Sequence, residues 1–139
     1  MASANVYLNF LGYTEKAFDF YKSVFGGEYA MLMRFKDTSE AGKMPEADQD
    51  KIMHIALPIG TSILMGTDAL ESMGQTLNMG NNFSISISTD SREDADRFFA
   101  GISAGGKVVM PMADTFWGSY FGMCTDKFEV QWMISYDKK

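Results

Sequence analysis

His54 is the sole histidine of the chain, and imidazole is the one side chain whose unperturbed proton affinity falls near neutrality, so it is the candidate general acid or base. In Met53-His54-Ile55-Ala56-Leu57, strand alternation puts His54 and Ala56 on one face and Met53, Ile55 and Leu57 on the other. With the apolar set packed inward, His54 looks out from the opposite face. Glu129, Gln131 and Met133 share one parity while Val130, Trp132 and Ile134 share the other. Glu129 is therefore the candidate carboxylate, either orienting His54 or serving as a metal ligand, although a turn-edge Glu is ordinarily solvated. Cys124, between Met123 and Thr125, has no histidine beside it and reads as a small core hydrophobe rather than a nucleophile. One cysteine excludes an intrachain disulfide and a cysteine-based zinc site, and one histidine excludes a two-histidine metal site within the chain. Glycine-rich phosphate loops, nucleophile elbows, HExxH and calcium loops are all missing from the sequence.

The elements that must position these groups are written twice. Val6, Leu8 and Phe10 alternate with Tyr7 and Asn9 as in a half-buried strand. Thr14 is placed to cap a helix carrying Ala17, Phe18, Tyr21, Val24 and Phe25 on one stripe, closed by Gly26-Gly27. After Asn82 the same grammar returns: Phe83, Ile85 and Ile87 alternate with Ser84 and Ser86, then Asp90 or Ser91 opens a helix that Gly105-Gly106 closes. Glu15 and Glu93, Ala17 and Ala95, Phe20 and Phe98, Tyr21 and Phe99, Val24 and Ile102, and Gly27 and Gly105 are each 78 positions apart. Such a fixed offset marks a duplicated supersecondary unit. Strands are expected after each helix, at 28–35, 53–58 and 61–65, then at 107–112, 119–124 and 129–135, with equivalent hairpin turns at 58–61 and 125–128. Each half is thus βαβββ. The stretch between Lys36 and Lys51 is acidic, contains Pro45 and offers no apolar face, so a mobile loop or lid is expected there.

A length of 139 residues with 46% hydrophobic and 14% aromatic side chains suits one domain over 1–139 sharing one core. Module one is expected at about 4–66, a linker at about 67–81 and module two at about 82–136. The net charge of −6, with acids and bases interspersed, argues against nucleic acid as a partner. Apolar runs long enough to span a bilayer are missing, as is a basic then apolar leader at Met1 to Asn5, so no membrane partner and a cytoplasmic location are expected. Twelve methionines suit irregular core gaps and adaptable apolar pockets alike.

Paired βαβββ modules resemble the vicinal oxygen chelate superfamily of glyoxalase I, extradiol dioxygenases and bleomycin-resistance proteins, and the chain looks most like its PhnB-like branch. The carrying segments are Tyr7 to Phe10, Glu15 to Glu28, Met53 to Leu57, Leu64 to Asp68, Gly80 to Ile85, Asp114 to Gly118, Phe121 to Met123, Asp126 to Phe128 and Trp132-Met133. One departure is Glu129, where the family carries glycine after Asp-Lys-Phe. A glycine there suits positive φ, which costs another residue about 1 kcal/mol or more. Either this turn differs or Glu129 has been recruited.

The resemblance implies an α+β, glyoxalase-like fold whose sheets curve around a shared cup. In metal-using members it implies four His, Gln or Glu ligands on the strands of that cup. At those positions this chain offers Val6 or Tyr7, Leu64 or Met65, Phe83 or Ser84, and Met133, none of them a good ligand for zinc, iron or nickel. No metal site and no cofactor are therefore expected. The expected function is binding of an unknown small molecule in a cup lined by Tyr7, Asn9, His54, Met65, Ser84, Ser86, Trp117, Gln131 and Met133. The alternative is a metal-dependent lyase or dioxygenase of the glyoxalase kind that holds a divalent metal through His54 and Glu129. A third reading makes the Met-rich faces serve association, and a homodimer is expected because relatives commonly form one. A ubiquinone-pathway methyltransferase, a label attached to some PhnB-like chains, finds no glycine-rich nucleotide loop after a strand here.

Overall fold

Helix, sheet and turn residues are ordered in a computed structural model that describes residues 2–39 and 41–137. Two compact units result, Met1–Asn78 and Met79–Lys139.

In the first unit the strands are β1 (Val6–Phe10), β2 (Met31–Arg34), β3 (Ile52–Ile59) and β4 (Ser62–Asp68), with helices α1 (Thr14–Phe25) and α2 (Glu46–Gln49). Sheet order is β1-β4-β3-β2, with β1 parallel to β4 and the other pairs antiparallel. The register line Leu8–Gly66–Ile55–Leu32 crosses the helix side of the sheet, and Ala17, Phe18 and Tyr21 of α1 are buried. Gly66 makes that packing possible: a Cβ there would stand 2.7 Å from Cε1 of Phe18, so the ring occupies the space the glycine leaves.

Thr14 does not cap α1 from outside but is its first residue, and the N-cap Tyr13 makes no side-chain cap. The acceptor comes instead from the end of β4. Asp68 Oδ1 accepts from the backbone N–H of Gly12 at 3.0 Å and of Thr14 at 3.1 Å and from the Thr14 hydroxyl at 2.6 Å, while its Oδ2 accepts from Ile52 N–H at 2.8 Å. An ionised carboxylate satisfies several orphan helix-start donors at once, which a threonine hydroxyl cannot.

The second unit repeats the order with β5 (Ile85–Ser88), α3 (Arg92–Ser103), β6 (Lys107–Asp114), β7 (Ser119–Thr125) and β8 (Gln131–Asp137), paired β5-β8-β7-β6. Here Ser91 does cap, accepting from Asp94 N–H at 3.0 Å. Ala95, Phe99 and Ile102 are buried, and Gly122 gives Phe99 the room that Gly66 gives Phe18. The two βαβββ modules and the α+β class are thus realised, each as an open four-stranded sheet covered by its helix.

Several local expectations are corrected. Strand β2 covers only Met31–Arg34. Phe83 lies before β5 and is 53% exposed, so it is not part of the helix-facing set. Between Lys36 and Lys51 the chain is built rather than bare, with 3-10 turns at Phe35–Asp37 and Ala41–Lys43 and the helix α2. The reason is Asp48, which is buried and accepts from Lys51 Nζ at 2.8 Å and Ser72 Oγ at 2.5 Å, bonds that replace the missing apolar face. The two turns are also unequal: Ile59 pairs with Ser62 across Gly60-Thr61, whereas Thr125 pairs with Gln131 across the wider loop 126–130. Among the described residues no helix is long and apolar enough to cross a membrane.

Candidate functional site

The face of the first sheet turned away from α1 carries Tyr7, Asn9, Met65, Ala56 and His54. Tyr7 stands opposite Met65, Met65 opposite Ala56 and Ala56 opposite Met31, while Asn9 stands opposite Thr67 and His54 opposite Met33. Register partners share a face, so these rows are contiguous. Tyr7 and His54 are brought together: Tyr7 Oη lies 3.1 Å from His54 Nδ1, and the rings are tilted with centroids 5.6 Å apart. With Nδ1 engaged by the phenol, Nε2 is the ring nitrogen not used in that contact. Tyr7 is 45% exposed, so the pair faces solvent within its own unit.

The matching face of the second sheet is a row Ser86–Met133–Met123–Met110, followed by a row Ser88–Ser135–Phe121–Ala113. Trp117 stands edge-on to Phe121 at 6.0 Å and to Phe116 at 5.0 Å, so the Asp114-to-Gly118 connection rims this face with aromatics. Of the expected lining residues, Ser86, Met133 and Trp117 fall here. Ser84 precedes β5 and has no strand partner. Gln131 lies opposite Thr125, and its side-chain amide donates to the Phe83 carbonyl, which fixes it to the backbone.

Glu129 is corrected. It lies outside β8 in the loop 126–130, is exposed, and has φ 71, so it does not share the strand parity of Met133. The loop is organised by Asp126, whose Oδ1 accepts from Phe128 N–H at 2.7 Å and Val130 N–H at 3.0 Å and whose Oδ2 accepts from the Trp132 indole at 2.8 Å. Glu129 takes the left-handed backbone within this loop, and its N–H donates to the Asp126 carbonyl at 2.9 Å.

The fit to a divalent metal follows from the donors. On the inner strand pairs the open-face neighbours are Tyr7 with Met65 and Ser86 with Met133: a phenol, a hydroxyl and two thioethers. Zinc, iron and nickel select imidazole, thiolate or carboxylate, so these residues do not fit the superfamily's metal. Among the described residues no group of three or more His, Cys, Asp or Glu could hold an ion. Cys124 is buried on the helix side, and burial together with nearby Asp126 pushes its thiol up to about 11, which removes the thiolate a nucleophile needs.

Methionines were the part of the site hardest to see. Met31 and Met33 follow strand parity, but Met110 does not, because β6 is bulged on either side of it.

A family model described as the Glyoxalase/Bleomycin resistance protein/Dioxygenase superfamily matches residues 8–134. Protein YjdN of Escherichia coli K12 is 31% identical over 147 residues, covering 96% of this chain and 94% of YjdN. The crystal structure of protein PA1353 from Pseudomonas aeruginosa superposes with a TM-score of 0.87 at 34% identity, covering 100% of both chains. The Bacillus cereus PhnB protein superposes with a TM-score of 0.76, covering 97% of this chain and 99% of that one, and at 21% identity the likeness is one of fold.

Proposed function

Because the chain belongs to the Glyoxalase/Bleomycin resistance protein/Dioxygenase superfamily, we propose that it is a PhnB-like small-molecule-binding protein that works without the superfamily's divalent metal. One observation carries the reading: the inner-strand positions Tyr7, Met65, Ser86 and Met133 present phenol, hydroxyl and thioether groups in register. Thioethers and ring edges offer an adaptable, polarisable contact surface, and the Tyr7–His54 pair adds a directional polar anchor. The few polar groups fix orientation while the apolar surface supplies affinity, as small-molecule sites ordinarily do. A role for His54 in proton transfer is compatible with binding, since a ligand on Nε2 would be within reach of the same ring.

The test is native mass spectrometry and elemental analysis of protein purified without added ligand. The expected result is a non-covalently held organic mass and less than about a tenth of an equivalent of zinc, iron, nickel or manganese per chain. Near-stoichiometric divalent metal that disappears in both His54→Ala and Glu129→Gln would overturn the proposal and establish the metal-dependent lyase or dioxygenase in its place.

A further inference from the structure

We infer that the open face of the second sheet is built for a neutral, planar aromatic ligand with one polar substituent at its β5 end. The inference rests on the small-molecule reading above and names the ligand class.

The row Ser86–Met133–Met123–Met110 places three thioethers side by side on adjacent strands, with a hydroxyl at one end. Strands are spaced about 4.8 Å apart, so the thioether run spans about 10 Å, the reach of a fused-ring system. Sulfur favours aromatic partners over aliphatic ones. The next row supplies Phe121, against which Trp117 stands, and neither row contains a charged side chain. Trp117 is 57% exposed, and edge-to-face and offset aromatic contacts are what such a rim offers to a ring.

The bulge in β6 is the second, independent observation. Val108 stands opposite Cys124, and in an uninterrupted ladder Val109 would follow opposite Met123 and Met110 opposite Gly122. The register shift after Val108 instead puts Met110 opposite Met123, and a second shift before Ala113 follows it. Bulges disrupt ladder pairing and re-aim side chains. Here the first exchanges a valine for a methionine at the end of the thioether row, and Met112 then returns to the helix side beside Gly122.

The experiment is methyl NMR on protein labelled at the methionine ε-carbons, with Met110, Met123 and Met133 assigned by single substitution to Leu, which keeps side-chain size and apolarity. The probes are 2-naphthol and its saturated counterpart decahydro-2-naphthol. With 2-naphthol, the three assigned methyls should move upfield together and saturably, as ring currents require, and the saturated alcohol should leave them in place. The double variant Met123→Leu with Met133→Leu should weaken 2-naphthol by roughly two- to tenfold. The inference falls if 2-naphthol leaves these methyls unmoved, if exposed methionines such as Met73 shift equally, or if the double variant binds 2-naphthol as wild type does. Equal affinity for the saturated alcohol would also overturn it while leaving the small-molecule reading intact. A divalent metal in the purified protein would instead strike that reading itself.

Discussion

Glu129 sits at φ 71, the one non-glycine in the left-handed region among the described residues, and it is exposed. Left-handed backbone costs an L-residue about 1 to 2 kcal/mol, part of which a glycine would give back through the greater freedom of its unfolded chain. Glu129→Gly should therefore raise stability by about 0.5 to 1 kcal/mol, read as a higher urea midpoint at unchanged denaturant slope. A lower midpoint would mean that the carboxylate makes a compensating contact and that the residue was recruited for it. The position was marked in the sequence by a missing glycine, but only the backbone shows that the turn kept the glycine's conformation. The same limit holds along the site. Strand parity correctly puts Tyr7 and His54 on one face, because alternation is a local property. It could not show that the Gln131 amide is spent on the Phe83 carbonyl, since that bond joins residues far apart in the chain. Nor could it place Met110, because a bulge adds one residue without any mark in residue type.

At the scale of elements, α1 and α3 are each seated by one glycine on the sheet beneath them. Gly66 has no positive φ to demand it; what demands it is Phe18, fully buried, whose ring would meet an added Cβ at 2.7 Å. Gly122 is crowded by Met112 Sδ at 2.6 Å and Phe99 Cε1 at 2.9 Å, and a methionine end can swing aside more cheaply than a trapped ring. Gly66→Ala should thus destabilise by about 1 to 3 kcal/mol, and Gly122→Ala by less. Adding Phe18→Leu to Gly66→Ala should recover part of the loss, a coupling that a double-mutant cycle in urea measures. Purely additive effects would show that the glycine is there for another reason. The helices were legible because their apolar stripes and glycine stops repeat at one offset. The strands were less so. The first paired residues are Val6 in β1 and Ile85 in β5, 79 rather than 78 positions apart, so the strand offset differs by one from the helix offset. Phe83 therefore falls before the first paired residue of β5. The segment 36–51 misled for a different reason: its order comes from Asp48 bonding Lys51 and Ser72, and hydrogen-bonded order leaves no hydrophobic periodicity to read.

For the molecule as a whole, ion pairs support both units: Arg34–Glu15, Lys51–Asp48 and Lys36–Asp50 in the first, Arg92–Asp114 and Arg97–Asp94 in the second. In the first unit, Glu15 is held below its ordinary value by its hydrogen bond to Arg34, Asp48 by Lys51 and Ser72, and Asp50 by Lys36. All three belong to Met1–Asn78. A carboxylate depressed in the folded state stabilises most above its unfolded value, here 4.5 for Glu15 and 3.8 for the aspartates. That stability drains away as pH falls through the lower folded values. These pairs are partly solvated, so each contribution is small and is screened by salt. Trp117 and Trp132 both lie in the other unit, and Trp132 is fully buried. In an acid titration at low ionic strength, far-ultraviolet circular dichroism therefore reports on both units and tryptophan emission on the second alone. Arg34→Gln removes the partner of Glu15 and should move the circular dichroism transition towards neutral pH while leaving the emission transition in place. Transitions that move together in the variant would show that the two modules unfold as one cooperative body.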